Sequence, residues 1–368
     1  MCVVFFSNET FILSLFSFNT QGYKLDLIEF TPPTMGDYEV FVDVSYCGMC
    51  HSDLHKINDE WSVTPMEGTK GYPMVPGHEV VGKVVSIGSK VTKIKVGETV
   101  GFGPQRESCS TCSYCTEGIE NCCTGFVGLY DTWRDEAKKI VHYGGYATSI
   151  TVHENFTFPI PAGIPLEVVG PLLCAGITTF QPLQRLTKPG MKVGIIGIGG
   201  LGHMGLQYAA AMKTECWAIS TSPSKEAEAR SFGAQHFLCS SDDAAMAAKK
   251  GYFDVILCTA SSNFEMKTYL QLVRPRGSFC LVGLAPVDKP LGFRPFDIVD
   301  GEKNIVGSMI GGTVSMKEML QFSADHKCFP KCEVVDFKDC NAAAEKVLNN
   351  AARYRMVLKI EGFREQQQ

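Results

Sequence analysis

Four cysteines, Cys109, Cys112, Cys115 and Cys123, follow the spacing Cys-x2-Cys-x2-Cys-x7-Cys. Four thiolates saturate a tetrahedral Zn²⁺ and leave it a structural ion. A second set of zinc-type ligands brackets this run: Cys50, the pair His78-Glu79, and Cys174. Two thiolates and one imidazole leave a fourth position open to water or substrate, which makes a catalytic site. The turn Gly197-Ile198-Gly199-Gly200-Leu201-Gly202 adds a nucleotide-binding signal. Together these patterns predict zinc-assisted redox chemistry on a nucleotide cofactor, with two zinc ions per chain.

The elements that must position these groups change character along the chain. From 38 to about 158 the sequence reads as short strands broken by Gly, Pro and Asp, with predicted strands over 38–44, 80–88 and 98–101. Such a run predicts a barrel-like β domain, with the cysteine cluster in a loop-rich insertion where a metal replaces missing core. After Pro189-Gly190 strands alternate with helices. Strands are predicted at 191–196, 216–220, 253–258, 278–284 and 305–309, with a helix over 225–232. That alternation implies a parallel sheet with right-handed crossovers. A helix around 341–350 and a strand at 356–360 are expected to return to the first domain. The predicted division is 1–174 completed by 311–368, and 175–310.

With 368 residues the chain has room for two cores. A net charge of -5 without a long basic run gives no footprint for nucleic acid or an anionic membrane. The sixteen cysteines split into zinc-spaced groups and residues inside apolar runs. Cys216, Cys239, Cys258 and Cys280 are of the second kind, expected to act as small buried hydrophobes. Zinc-ligating thiolates suit a reducing compartment, so a cytosolic protein is expected. The apolar runs 3–6 and 11–18 lack the basic residues that precede a signal-peptide core, and the second is too short to span a bilayer. They read as an edge strand or as an artefact of the assumed chain start, and as an aggregation liability if exposed.

The glycine turn follows a strand and opens an amphipathic helix, the context that makes it specific. Gly197 permits the tight turn, Gly199 lets backbone approach a pyrophosphate, and Gly202 lets helix and strand pack closely. The diphosphate would then rest on the helix N-terminus. An NAD site would place Asp or Glu at the end of the second strand; here the chain reads Ser220-Thr221-Ser222-Pro223-Ser224-Lys225. Hydroxyls and an ammonium favour a 2′-phosphate, so NADP(H) is expected. Ser222-Pro223 could also simply cap the next helix.

The run Cys47-Gly48-Met49-Cys50-His51-Ser52-Asp53-Leu54-His55 resembles the zinc-ligand motif of the medium-chain zinc-dependent alcohol dehydrogenases. Pro76-Gly77-His78-Glu79-Val80-Val81-Gly82 and Leu173-Cys174-Ala175-Gly176 are similar to that family's second and third ligand segments. Gly199-Gly200-Leu201-Gly202-His203-Met204-Gly205 and Ser220-Thr221-Ser222 look most like its cinnamyl alcohol dehydrogenase branch. The resemblance spans about 38–362. It implies a GroES-like barrel-type catalytic domain plus a Rossmann doubly wound sheet.

The resemblance further implies that Cys50, His78 and Cys174 ligate the catalytic zinc, with Glu79 behind it or ligating transiently. Asp53 would orient the His78 imidazole, and Ser52 and His55 would relay a proton from the substrate oxygen towards solvent. A Lewis acid there stabilises negative charge on an alcohol oxygen or polarises a carbonyl, while hydride moves to or from nicotinamide C4. Cofactor contacts are expected from Gly197, Gly199, Gly200, Leu201, Gly202, Ser220, Thr221, Ser222, Lys225 and Thr178. Cys47 could compete with Cys50 but lacks the following His-Ser-Asp run. Cys122 could replace Cys123, which the x7 spacing favours. Tyr130 and Trp133 face an aromatic substrate or pack; His142, His153, His236 and His326 read as surface or capping residues. The opening twenty residues depart from the family pattern.

The expected protein is an NADP(H)-dependent zinc alcohol dehydrogenase interconverting primary alcohols and aldehydes, aromatic or longer aliphatic, and a homodimer by resemblance. An NAD-linked polyol or short-chain alcohol dehydrogenase, or a non-catalytic nucleotide or zinc sensor, are the competing readings.

Overall fold

In the computed structural model, which describes residues 11–15, 25–30, 34–58, 60–61, 74–135, 137, 140–261, 264–286, 288 and 291–363, the alternating run after residue 38 forms one long strand, Glu39–Met49. Its inward positions Val40, Val42 and Val44 are buried, as are Cys47 and Met49. Two neighbours share one side of it. Ser149–His153 pairs with its first half and Arg355–Lys359 with its second, both antiparallel. Val80–Ile87 lies along the other side, with register shifts at Phe41/Val42 and Val44/Tyr46. Such irregularities bend a strand, and here they let one strand serve two parts of a curved sheet. The full order is Phe158–Pro159, Thr99–Phe102, Val80–Ile87, Glu39–Met49, Arg355–Lys359, Cys332–Asp336.

The second body is a six-stranded parallel sheet in the order His236–Cys239, Glu215–Ser220, Lys192–Ile196, Phe253–Cys258, Val273–Leu281, Asn304–Gly307. Numbered along the chain this is 3-2-1-4-5-6, the Rossmann order, whose direction reverses beside the first strand. Continuous apolar strands suit a sheet covered on both faces. Val193, Ile195, Ile196, Ile256, Leu257 and Phe279 are accordingly buried.

The chain divides into Met1–Leu173 with Cys332–Gln368, and Cys174–Lys331. The return therefore comes at Cys332 rather than at 311 as expected. The reason is the helix Thr313–His326, which packs within the second unit. Phe322 meets Phe180 of the helix Ile177–Leu186 at 5.3 Å between ring centroids, and Ser323 Oγ lies 2.8 Å from Tyr208 Oη.

Some elements lie off the expected pattern. The strand His236–Cys239 is only four residues long, His-Phe-Leu-Cys, and shows no alternation. Leu166–Leu186 is a continuous 21-residue helical run, long and apolar enough to cross a membrane, yet 78% of its apolar window is buried within the protein. Near the start, Phe11–Leu15 pairs antiparallel with Asp26–Phe30, a two-stranded ribbon in keeping with the edge-strand expectation. The apolar run 3–6 lies outside the described residues.

Candidate active site and cofactor turn

The helix His51–Ile57 begins where the long strand ends, so Cys50 occupies its N-cap position. Asp53 at the third helical position reaches back, its Oδ2 accepting from Cys50 N at 3.1 Å. This closes a capping box and places ligand and carboxylate side by side. His78 arrives from the segment before Val80–Ile87, and its Nδ1 lies 2.9 Å from Asp53 Oδ1. Cys174 sits on Leu172–Gly176, a π-helical turn inside the long apolar helix, next to the last residue of the first unit. Such wide turns are frequent at functional positions.

Ligand atoms of Cys50, His78, Glu79 and Cys174 all lie within 4.8 Å of one another, and all four residues are buried. Cys47 is not among them: it is fully buried core, its thiol pushed up by burial and by Asp53. The chemistry of the group fits Zn²⁺. Burial alone would lower His78, but Asp53 and Cys50 hold it well above the usual imidazole range. Positive charge is thus favoured where its ring sits. Glu79, raised by burial against the pull of Arg355, bonds that guanidinium through Oε1. Its Oε2 is buried with no hydrogen-bond partner among the described residues. A buried carboxylate oxygen without a donor is costly, and a cation beside it removes that cost.

Ser52 and His55 are the residues expected to relay a proton. Ser52 Oγ lies 3.5 Å from Cys50 Sγ. His55 Nδ1 meets Glu60 Oε2 at 2.5 Å, while its Nε2 is buried without a partner among the described residues. Glu60 was missed in the sequence, where nothing marks it above the adjacent Asp59. Trp61 lies against His55 with ring centroids 4.9 Å apart.

The second cluster brings together Cys109, Cys112, Cys115 and Cys123. The Cys109–Cys123, Cys112–Cys115, Cys112–Cys123 and Cys109–Cys115 sulfur pairs are 3.4, 3.5, 3.7 and 3.9 Å apart. A tetrahedron with metal–sulfur bonds of about 2.3 Å has edges of about 3.8 Å, so these sulfurs suit Zn²⁺ and are too far apart for disulfides. Backbone N–H groups of Thr111 and Cys112 pull the Cys109 thiol down to about 6, which favours the thiolate a metal needs. Cys122 is exposed and outside the cluster.

Of the two readings of Tyr130, packing holds: it is 3% exposed, and its hydroxyl donates to Asp53 Oδ1 at 2.8 Å. Two other expectations are corrected. His142 is neither surface nor cap. Burial with Arg106 and Arg134 nearby pushes it down to about 2, so it stays neutral. Cys239 is half-exposed at a strand end beside Ser241 rather than core. His153 does cap, accepting from Asn155 N, and His236 and His326 are exposed. Trp133 is half-buried on a short strand.

In the second unit Gly197 adopts φ +85° and Gly202 starts the helix Gly202–Ala211. A Cβ on Gly202 would lie 1.7 Å from Gly197 O, while one on Gly199 would meet only open space. The turn is therefore closed beneath and open where a pyrophosphate would lie. Thr259 Oγ1, 3.1 Å from Gly197 O, and His203 Nδ1, 3.0 Å from Gly199 O, brace it from below. Lys225 Nζ donates to Ile198 O at 2.9 Å, joining the second-strand loop to the first turn. Ser220 Oγ accepts from Ser222 N, and Ser222 and Ser224 hydroxyls lie 2.8 Å apart. Ser222 takes the N-cap position of the short helix Pro223–Lys225 with Pro223 at its start, without a side-chain cap bond. Thr221 is exposed beside this group, whereas Thr178 is buried in the helix Ile177–Leu186.

The alcohol dehydrogenase GroES-like domain profile matches residues 36–162, and the zinc-binding dehydrogenase profile matches 200–325. The chain is 42% identical to a probable formaldehyde dehydrogenase of Bacillus subtilis over 88% of its length and 90% of that protein's. A cinnamyl alcohol dehydrogenase from Sorghum bicolor superposes with TM-score 0.88 at 35% identity, covering 96% of this chain and 98% of the other. A CAD from Helicobacter pylori complexed with NADP(H) gives 0.86 at 35% identity, covering 96% and 99%.

The chain belongs to the medium-chain zinc-dependent alcohol dehydrogenases, in the cinnamyl alcohol dehydrogenase-like branch. In this alcohol dehydrogenase the GroES-like unit carries three of the four grouped ligand residues, and the Rossmann unit carries the glycine turn. Gly202→Ala should abolish tight nicotinamide-nucleotide binding while leaving the zinc content unchanged. Fluorescence titration with NADPH and metal analysis check both halves, and unaltered NADPH affinity would remove the turn from the cofactor site.

Proposed function

We propose that the chain is an NADP(H)-dependent zinc oxidoreductase interconverting primary alcohols and aldehydes, aromatic cinnamyl-type or longer aliphatic. The observation that carries this reading is the buried group Cys50, His78, Glu79 and Cys174 beside Ser52 and the His55–Glu60 pair. Zn²⁺ held by Cys50, His78 and Cys174 would supply Lewis acidity toward the substrate oxygen. Asp53 orients His78 for that task, and Arg355 holds Glu79 beside it. Ser52 and His55 provide hydroxyl and imidazole groups able to carry a proton between substrate and solvent, with Glu60 fixing the His55 ring. A second Zn²⁺, held by Cys109, Cys112, Cys115 and Cys123, would close the loop around it without touching substrate.

NADP(H) is favoured because Ser220, Thr221, Ser222 and Lys225 stand where an NAD site would present a carboxylate. The CAD that binds NADP(H) in its solved structure agrees with this assignment. Since NADPH is the reduced form expected in a reducing cytosol, aldehyde reduction is the proposed direction. The described cysteines form no disulfide with one another, which suits that compartment.

A homodimer is proposed from the edge strand Asn304–Gly307, whose outer side pairs with no strand among the described residues. Phe296 and Val299, preceding that strand in sequence, are 68% and 69% exposed, an apolar surface that a second copy would cover. Light scattering should return twice the chain mass, and Phe296→Glu with Val299→Glu should return the monomer. A wild-type monomer would overturn the assignment.

Oxidation of NADPH by cinnamaldehyde-like substrates should run at least tenfold faster than oxidation of NADH, and Lys225→Glu should erase that preference. An unchanged preference in the variant would refute the role of Lys225. Cys50→Ser should lose turnover and one of two zinc ions while still binding NADPH. A variant that kept full turnover would refute the catalytic site, and nucleotide binding without any wild-type turnover would favour the sensor reading.

A further inference from the structure

Asp53 is fully buried and accepts five hydrogen bonds. Oδ1 takes Gly77 N at 3.0 Å, His78 Nδ1 at 2.9 Å and Tyr130 Oη at 2.8 Å. Oδ2 takes Cys50 N and Tyr146 Oη, each at 3.1 Å. A carboxylate offers about four lone-pair positions, so this one is saturated. The donors are of two kinds. Cys50 N, Gly77 N and His78 Nδ1 belong to the two ligand segments themselves. The phenols belong to separate segments that carry no ligand, and they fix the carboxylate from outside.

Each phenol is itself held in place. Lys56, one turn beyond Asp53 on the same helix face, lies 5.2 Å from the Tyr130 ring centroid and 3.1 Å from Asp131 Oδ2. One short helix thus grips both neighbours of the 130–131 step. The segment bearing Tyr146 runs along the one leading to His78, through Gly144 N to Val75 O at 2.8 Å, Gly145 N to Gly77 O at 2.7 Å and Tyr146 N to Pro76 O at 2.9 Å. Tyr130 and Tyr146 are 3% and 1% exposed, so water does not compete for the carboxylate from their side.

We propose that Tyr130 and Tyr146 are positioning residues for the catalytic metal: by holding Asp53 they fix the His78 imidazole and the Cys50 segment, and so set how firmly that metal is retained. This inference rests on the zinc reading above. Removing one phenol donor leaves the carboxylate held by four bonds and less firmly oriented, and the imidazole it orients is loosened with it. Outer partners of this kind typically change metal affinity about 10–100-fold.

The test uses the zinc-loaded full chain and the variants Tyr130→Phe and Tyr146→Phe, which keep the rings and delete only the hydroxyls. Zinc release to a chelator is followed in time, with the unfolding midpoint measured in parallel. The four-cysteine site of the same unit is an internal control. One of the two zinc ions should leave about tenfold faster or more in either variant, the other at the wild-type rate, and the visible bands of cobalt-substituted protein should shift. Unchanged release in both variants would overturn the proposal. Both metals leaving together at a faster rate would also overturn it, because that marks general loosening of the unit. A wild-type chain that retains only the four-cysteine zinc would instead remove the zinc reading itself, and the proposal with it.

Discussion

Charge balance in a buried place governs the group of candidate metal ligands. Cys50, Cys174, Glu79 and Asp53 bring four acidic groups together away from water, with His78 and Arg355 as the basic side chains that contact them. Buried ionised groups are tolerated only when paired or bound to a metal. Asp53 is satisfied by five donors and Glu79 half-satisfied by Arg355. The thiols of Cys50 and Cys174 lie grouped with His78 and Glu79, and a divalent cation among them would balance the group's negative charge. The strands, the short helix and the π turn can be understood as what brings these groups to one point.

On the proposed reading the second unit answers a different demand, an anion rather than a cation. Its parallel strands bring the first turn and the second-strand loop to the same edge of the sheet. There Lys225 spans from one to the other through Ile198 O. Gly202 shuts the turn against Gly197 O, and Gly199 leaves it open above. Hydroxyls replace the carboxylate that would repel a 2′-phosphate. On that reading the chain gathers acids where a cation would sit and clears them from the place of an anion.

Much of this was legible in the residue order. Strand positions at 191–196, 216–220 and 253–258 fell within a residue of the observed Lys192–Ile196, Glu215–Ser220 and Phe253–Cys258. Continuous apolar runs bounded by glycine and proline leave little freedom there. The helix Thr313–His326 was harder, because its buried residues are mostly Met316, Met319, Leu320 and Ser323, a weak apolar stripe. Its packing partners lie more than a hundred residues away, so the division near 311 moved to Cys332.

The sequence by itself determined which atoms could bind metal and cofactor, since thiols at zinc spacing and glycines in a strand–turn–helix context have few other uses. Cys123 over Cys122 and Cys50 over Cys47 were weighted by spacing and by the residues that follow. Only the tertiary structure decided what surrounds those atoms. Glu60 at His55, Arg355 at Glu79, and Tyr130 and Tyr146 at Asp53 come from positions between five and nearly three hundred residues away. No local pattern marks such partners. A hydrogen bond is a relation of distance and direction in space, and chain order constrains that only within a turn or so of helix or strand.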